Sequence, residues 1–230
     1  MNRYCIILAG GFGTRLRAVT GELPKCLAPI GGIPFIIRQM AGLADQGFNR
    51  FVLALGVGAG AVVDCVSMVK SKYEIINIVE PHALGTGGAI LNALNCTGLS
   101  EAVVINGDTY LTADLSPMFF SLDTANDELV RIAGIRVDDR QRFGGVEVDG
   151  RWVSEFIEKG VSGSGLINSG CYRVGINAFN GILPKTKLSF EDQVLYPLVQ
   201  KRQVGFVSIS GEMIDIGVPN DYWKMNNRYS

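Results

Sequence analysis

The chain has one histidine in 230 residues, no C-x-x-C pair, no block of like charge and no long apolar run. Each absence removes a class of function. A membrane-spanning helix needs about 20 consecutive apolar residues. The first apolar run, Tyr4 to Ala9, breaks at Gly10-Gly11, and no A-x-A-like cleavage site follows it. The sequence therefore predicts a soluble, cytoplasmic chain with no membrane partner. Lys+Arg 21 against Asp+Glu 22 leaves a formal net charge of −1, which offers a nucleic acid no general positive field. Cys5, Cys26, Cys65, Cys96 and Cys171 lie far apart and mostly inside apolar runs. They read as small hydrophobes in a reducing compartment rather than a disulfide frame or a zinc site. The single histidine, His82, reads as an exposed bystander, so the chemistry must proceed without an imidazole base.

Glycine is in excess, 29 of 230 residues, against a usual share of about 7%. It follows no period of three and punctuates apolar runs. Tyr4 to Ala9, Phe51 to Leu55, Ile75 to Val79 and Ala102 to Ile105 read as buried strands. Helical stretches fall between them. One opens at Pro34, carries Ile36, Ile37, Met40, Leu43 and Ala44 on one face and stops at Gly47; the others are Val62 to Val69 and Gly88 to Leu94. Alternating strand and helix is the pattern of a doubly wound α/β sheet. After residue 130 the texture changes. Val146 to Val148 and Trp152-Val153 flank Asp149-Gly150, a hairpin signal, and Ser189 to Asp192 has capping-box spacing before a helix through Val199. The expected fold is one α/β domain over 1–230, a mostly parallel, Rossmann-like sheet flanked by helices, with a small antiparallel extension.

Two glycine-rich segments compete as phosphate loops. Leu8-Ala9-Gly10-Gly11-Phe12-Gly13-Thr14-Arg15-Leu16 follows the first strand, and Pro24-Lys25 lies shortly after it. It lacks the G-K-[ST] ending of a Walker loop, and Leu16 stands where a dinucleotide fingerprint needs its third glycine. Backbone amides without side chains still approach an anion closely, and Arg15 adds a fork for phosphate oxygens. Gly56-Val57-Gly58-Ala59-Gly60-Ala61 matches G-x-G-x-x-A, with Glu80 placed as a ribose-binding carboxylate would be. That pattern makes an NAD-dependent oxidoreductase the alternative from another class.

The first loop belongs to an ordered set: Gly10-Gly11-x-Gly13-Thr14-Arg15-Leu16, Pro24-Lys25, Glu80-Pro81, Leu84-Gly85-Thr86-Gly87-Gly88-Ala89, Asn106-Gly107-Asp108, Phe156-Ile157-Glu158-Lys159, Asn168-Ser169-Gly170 and Asp215-Ile216-Gly217. This set, running from residue 6 to about 222, resembles the sugar-1-phosphate nucleotidylyltransferases. Members join a sugar 1-phosphate to the α-phosphorus of a nucleoside triphosphate and release pyrophosphate. The second pKa of a phosphate monoester is about 6, so the nucleophile is largely dianionic at neutral pH and needs no general base. The work is positioning and charge neutralisation.

The resemblance implies the roles that follow. Arg15 and Lys25 hold the triphosphate, Lys25 near the α-phosphate, and Lys159 holds the sugar phosphate. Asp108 and Asp215 bind Mg²⁺, which takes one or two protein carboxylates beside phosphate oxygens and waters. Leu8, Ala9, Gly10, Gly11, Gly13, Thr14, Glu80, Gly85, Thr86 and Gly87 complete the nucleotide site, in a half of about 1–110. Gly107, Gly144, Gly145, Glu158 and Asn168 face the sugar, in a half of about 111–230. Where relatives using thymidine or uridine triphosphate often have glutamine, this chain has Glu80. A carboxylate only accepts hydrogen bonds, and guanine offers N1–H and N2–H₂ side by side, so GTP is the expected donor. Glu80-Pro81, the segment 84–90 and Asn106 to Tyr110 look most like the subgroup acting on D-glycero-α-D-manno-heptose 1-phosphate for bacterial surface polysaccharide. Mannose or glucose 1-phosphate with guanylyl, uridylyl or thymidylyl transfer is the alternative, as is a non-catalytic nucleotide-sugar-binding subunit. Val218, where threonine is frequent, and Cys26 depart from the pattern without removing a charge. The chain ends soon after Asp221-Tyr222, so the expectation is a minimal catalytic domain, with a homo-oligomer compatible with its apolar second half.

Overall fold

The computed structural model describes residues 3–11, 13, 16 and 21–230. The chain groups into two compact units: Met1–Ala83, Ile105–Thr112 and Met213–Ser230 form the first, Leu84–Val104 and Ala113–Glu212 the second. The first holds β1 (Tyr4–Leu8), a tiny hairpin β2 (Pro29–Ile30) and β3 (Ile33–Pro34), α1 (Phe35–Asp45), β4 (Arg50–Leu55), α2 (Ala59–Ser67) and β5 (Glu74–Val79). It also takes the end of β6 (Glu101–Asn106), β7 (Thr109–Leu111), β13 (Met213–Asp215) and the C-terminal helix α5 (Pro219–Tyr229).

β4 lies between β1 and β5, parallel to both, with Leu8 opposite Ala54 and Leu55 opposite Val79. Cys5, Ile6 and Ile7 are wholly buried, as are Phe51 to Leu53, which is why these strands read as unbroken apolar runs. Helix α1 buries Phe35, Ile36, Gln39, Met40 and Leu43. It ends where expected, with Gly47 at φ +97° and its N–H on Ala44 O at 2.9 Å. Helix α2 begins three residues earlier than the apolar pattern suggested, because Gly58 at φ +72° turns the chain into it.

The last segment returns to this unit. Tyr222 and Met225 of α5 pack with Leu16, Ala28, Ile30, Phe35 and Ile216, and burying an apolar side chain of this size stabilises by about 1.5–3 kcal/mol. Polar contacts fix the register: Tyr222 Oη donates to Pro29 O at 2.8 Å, and Gly31 N to Asn226 Oδ1 at 2.9 Å. Fastened this way, β13 pairs antiparallel with β7, Asp215 opposite Thr109.

The second unit contains α3 (Gly85–Thr97), β8 (Val130–Val137), β9 (Gly145–Asp149), β10 (Trp152–Ile157), β11 (Gly165–Gly175), a π turn Glu191–Leu195 running into α4 (Tyr196–Gln200), and β12 (Val204–Ser208). β8 pairs parallel with β12 and antiparallel with β11, and β10 pairs antiparallel with both β12 and β9. The α/β class, the parallel strands and the antiparallel extension are thus all present. The hairpin sits one residue later than its sequence signal. Asp149 pairs with Trp152, so the loop is Gly150-Arg151, with Gly150 at φ +61° and Arg151 outside the positive-φ set. Glycine at the first loop position suits a II′ turn, whereas Asp149-Gly150 would have suited I′. Ser189 does cap the following turn, its Oγ accepting from Asp192 N at 3.2 Å, while Gln193 Oε1 accepts from Ser189 N at 2.8 Å.

Helix α3 differs most from expectation: it begins at Gly85, so the glycine motif lies in its first turn. Gly85 takes φ +70°, and a Cβ there would come within 2.6 Å of Leu188 O; one on Gly87 would reach 2.9 Å from Leu188 Cγ. Gly88 would collide with Thr186 O. Replacing Gly88 by Ala is expected to destabilise by about 1–3 kcal/mol, the usual cost of overpacking, lowering Tm by about 2–4 °C per kcal/mol. Gly60, in α2 with open space around it, gives the opposite result: Gly60→Ala gains about 0.5–1 kcal/mol of helix preference, measured by the same thermal melts.

The cysteines also divide. Cys5, Cys26 and Cys171 are buried, Cys65 is intermediate and Cys96 is exposed, so the uniform core reading fails at Cys96, on the outward side of the end of α3. Burial pushes the thiols of Cys26 and Cys171 up to about 12 and raises that of Cys65. Since only thiolate attacks, thiol titration of folded protein at pH 8 should label Cys96 first and Cys65 more slowly, with rates rising with pH. Cys5, Cys26 and Cys171 should react only in denaturant.

Candidate active site

The glycine loop after β1 is shaped by close approach of backbone. Ala9 N donates to Ala54 O at 2.9 Å. A Cβ on Gly10 would lie 3.1 Å from Gly56 N and 3.3 Å from Glu80 Oε1, and one on Gly56 would lie 2.6 Å from Gly10 O. The ends of β1, β4 and β5 thus converge, and Glu80, its N–H on Leu55 O at 2.8 Å, places its carboxylate beside Gly10. This also accounts for the competing G-x-G-x-x-A pattern: Gly56 permits that approach and Gly58 supplies the left-handed turn into α2. Gly11 faces open space, and Gly13, at φ +58°, lies against the stem of Lys25, a Cβ there falling 2.7 Å from Lys25 Cβ. Leu8 ends β1. Thr14 and Arg15 lie outside the described residues.

Lys25 begins a short 3₁₀ turn, Lys25–Leu27, whose next residue, Cys26, is buried. Its ammonium forms an ion pair with Asp108 Oδ2, with side chains 14% and 26% exposed. At that burial the pair is not a screened surface contact. Asp108 sits in the two-residue turn Gly107–Asp108 between β6 and β7. Gly107 N donates to Leu8 O at 3.0 Å and Ile216 N to Asp108 O at 2.9 Å, and a Cβ on Gly107 would strike Leu8 O. The β7–β13 ladder brings Asp215, at the end of β13, to the same corner. Its Oδ1 accepts from Gly217 N at 2.8 Å. A Cβ on Gly217 would overlap Lys25 Nζ and approach Asp215 Oδ1 to 2.8 Å, so the ammonium and the second carboxylate border one point.

Two carboxylates here share a corner with a cation. Oxygen donors alone, without nitrogen or sulfur, suit a hard divalent ion, and the ammonium shows that the corner accommodates positive charge. Among the described residues no group of three or more His, Cys, Asp and Glu is assembled as a metal cage.

The remaining sequence-predicted residues belong to the second unit. In α3, Gly87 N donates to Leu188 O at 3.0 Å and Thr86 Oγ1 accepts from Phe190 N at 3.0 Å, so Gly85, Thr86 and Gly87 have packing and bonding duties inside this unit. Gly144, at φ +77°, approaches Ile157 O, and Gly145 pairs with Ile157 while making room for the Arg140 guanidinium. Glu158 and Lys159 follow β10 and are exposed. Asn168 sits at a bulge in β11 where the register against β8 shifts, and bulges re-aim side chains. Its Oδ1 accepts from Gly170 N at 3.0 Å and its Nδ2 donates to Tyr172 Oη at 2.8 Å. Tyr172, which orients Asn168, carried no motif of its own; its spacing of four from Asn168 in a strand broken by Ser-Gly was the available signal. His82 is exposed. No helix among the described residues is long and apolar enough to cross a membrane.

Comparison with known proteins identifies the family. A family model for nucleotidyl transferases matches residues 4–230. The chain is 36% identical over 223 residues to the D-glycero-α-D-manno-heptose 1-phosphate guanylyltransferase of Aneurinibacillus thermoaerophilus, covering 95% of each. It is also 36% identical over 225 residues to the enzyme of that name from Campylobacter jejuni, covering 95% of this chain and 96% of the relative. The crystal structure of HddC from Yersinia pseudotuberculosis superposes with a TM-score of 0.87 at 35% identity, over 99% of this chain and 100% of that one; HddC has also been solved with GMP-PN. Proteins of this kind typically depend on a divalent metal. A match over nearly the whole chain, to a fold whose strand ends here gather a glycine loop, a lysine and two carboxylates, means that the chain belongs to the nucleotidyl transferase family.

Proposed function

We propose that this chain transfers the guanylyl group of GTP to a sugar 1-phosphate, D-glycero-α-D-manno-heptose 1-phosphate being favoured, as a cytoplasmic enzyme of nucleotide-sugar synthesis. The observation that carries this reading is the corner of Asp108, Asp215 and Lys25 beside the Gly10 loop and Glu80, in a chain collinear with two heptose 1-phosphate guanylyltransferases. A phosphate oxygen of the sugar 1-phosphate bonds to the α-phosphorus, and the bond from that phosphorus to the β-bridging oxygen breaks to release pyrophosphate. The nucleophile arrives as a dianion, so no side chain need remove a proton. The chain's task is to bring two anions together and neutralise them in the right geometry. In this reading Lys25, whose stem lies against Gly13, holds the α-phosphate, with Arg15 as its partner on the triphosphate and Lys159 on the sugar phosphate. Mg²⁺ held by Asp108 and Asp215 would supply Lewis-acid charge to the phosphate oxygens. Glu80 reads the base by accepting from guanine N1–H and N2–H₂. Glu158 and Asn168 meet the sugar hydroxyls, Asn168 being oriented by Tyr172.

Pyrophosphate release over a grid of nucleoside triphosphates and sugar 1-phosphates tests the assignment. GTP with the heptose 1-phosphate should be the best pair, and Glu80→Gln should shift preference toward UTP or dTTP. Equal rates from UTP, or an unchanged preference in Glu80→Gln, would overturn the base reading. The best sugar in the same grid decides between heptose and mannose. Asp108→Asn should lose most Mg²⁺-dependent turnover. Gly217→Ala, whose methyl displaces the Lys25 ammonium, should cut kcat by about 10–100-fold, the scale of a 1 Å misplacement, with little change in Tm. Gly60→Ala serves as the control that leaves turnover unchanged.

A further inference from the structure

The turn that presents Asp108 is held at four points, and two of them come from one distant side chain. Gly107 N–H is tied to Leu8 O and Asp108 C=O to Ile216 N. The carbonyls on either shoulder, Asn106 O and Thr109 O, both accept from Gln39 Nε2, at 2.9 and 2.6 Å. Gln39 is 2% exposed and stands on the apolar face of α1, between Ile36 and Leu43. The two bonds fix which end of the amide faces the turn, since an amide oxygen there would oppose two carbonyl oxygens. The other end, Oε1, is buried with no hydrogen-bond partner among the described residues. A buried amide oxygen left unsatisfied is a cost that an apolar residue would avoid, so the pair of donated bonds is what this position gains from glutamine.

We infer that Gln39 is a positioning residue for Asp108, clamping both shoulders of the turn so that the carboxylate stays at the corner it shares with Asp215 and Lys25. The inference rests on the reading of that corner as the metal site. Outer groups that orient a metal ligand typically carry about 10–100-fold in metal affinity or activity. The test compares wild type with Gln39→Met, which keeps length without donors, and Gln39→Glu, which keeps shape but sets a carboxylate against two carbonyls. Mn²⁺ affinity in the presence of a non-hydrolysable GTP analogue is measured by electron paramagnetic resonance, and hydrogen exchange is followed at the amides of the 107–109 turn.

Both variants should bind Mn²⁺ at least about tenfold more weakly, exchange the turn amides faster, and lower kcat while leaving KM for the sugar 1-phosphate unchanged. Folded variants with wild-type Mn²⁺ affinity and wild-type exchange would overturn the inference, as would a lower Tm with neither readout moved, the mark of a purely structural role. If Gln39→Met does not fold, Gln39→Glu decides by the same two readouts. If wild type binds no Mn²⁺, the metal reading fails, and turn exchange alone then decides whether Gln39 clamps the turn.

Discussion

Everything at the candidate site depends on holding two carboxylates at one corner without letting their repulsion open it. Asp108 and Asp215 are far apart in the chain, and the three-residue ladder between β7 and β13 is too short to hold them together alone. The fold answers with a cation and a fastener. Lys25 places its ammonium against Asp108 and near Asp215 Oδ1, held there because Gly13 and Gly217 leave its stem and tip the space they need. The apolar cluster under α5 then ties β13 to the segment that carries Lys25. Removing any of these leaves like charges facing each other across a partly buried corner, where screening by water and salt is weak.

Glycine excess, which first looks like a general property of the chain, resolves into distinct physical jobs. At Gly56 and Gly107 another backbone comes closer than a Cβ permits, and at Gly10 a Cβ would be tightly pressed. At Gly47 and Gly58 the chain adopts positive φ to leave or enter a helix. At Gly87 and Gly88 a helix lies directly on a neighbouring segment. Of Gly10, Gly11 and Gly13, Gly11 faces open space, and a substrate backbone contact there would meet no neighbouring group among the described residues.

How much of this the sequence disclosed follows from the range of the interactions involved. β1, β4 and β6 were readable because burial on both faces writes an uninterrupted apolar run; β5 was found by its β-branched residues, but it is an edge strand in which only Ile78 is buried and Val79 is exposed, not the buried strand expected. α3 was read too short because glycine is a poor helix former, and packing on the 186–190 segment overrode that preference. The turn at Gly150-Arg151 was misplaced by one because local propensity fixes that a chain turns better than where the register falls. Candidate charged residues could be named from their type, and of these Lys25, Asp108 and Asp215 meet at one corner. Gln39 and Tyr172 were not: a glutamine on an apolar helix face shows no purpose until its partners, far along the chain, are folded beside it.

The interleaving of the two units has a consequence for how the protein comes into being. The second unit's residues all precede Met213, whereas the first unit lacks β13 and α5 until the final segment has been made. A growing chain on the ribosome therefore carries the glycine loop, Lys25 and Asp108 long before it carries Asp215, and the corner cannot close during synthesis. Contacts of such long sequence separation form slowly. The corner as folded thus waits for the segment that carries β13 and α5, made long after Asp108.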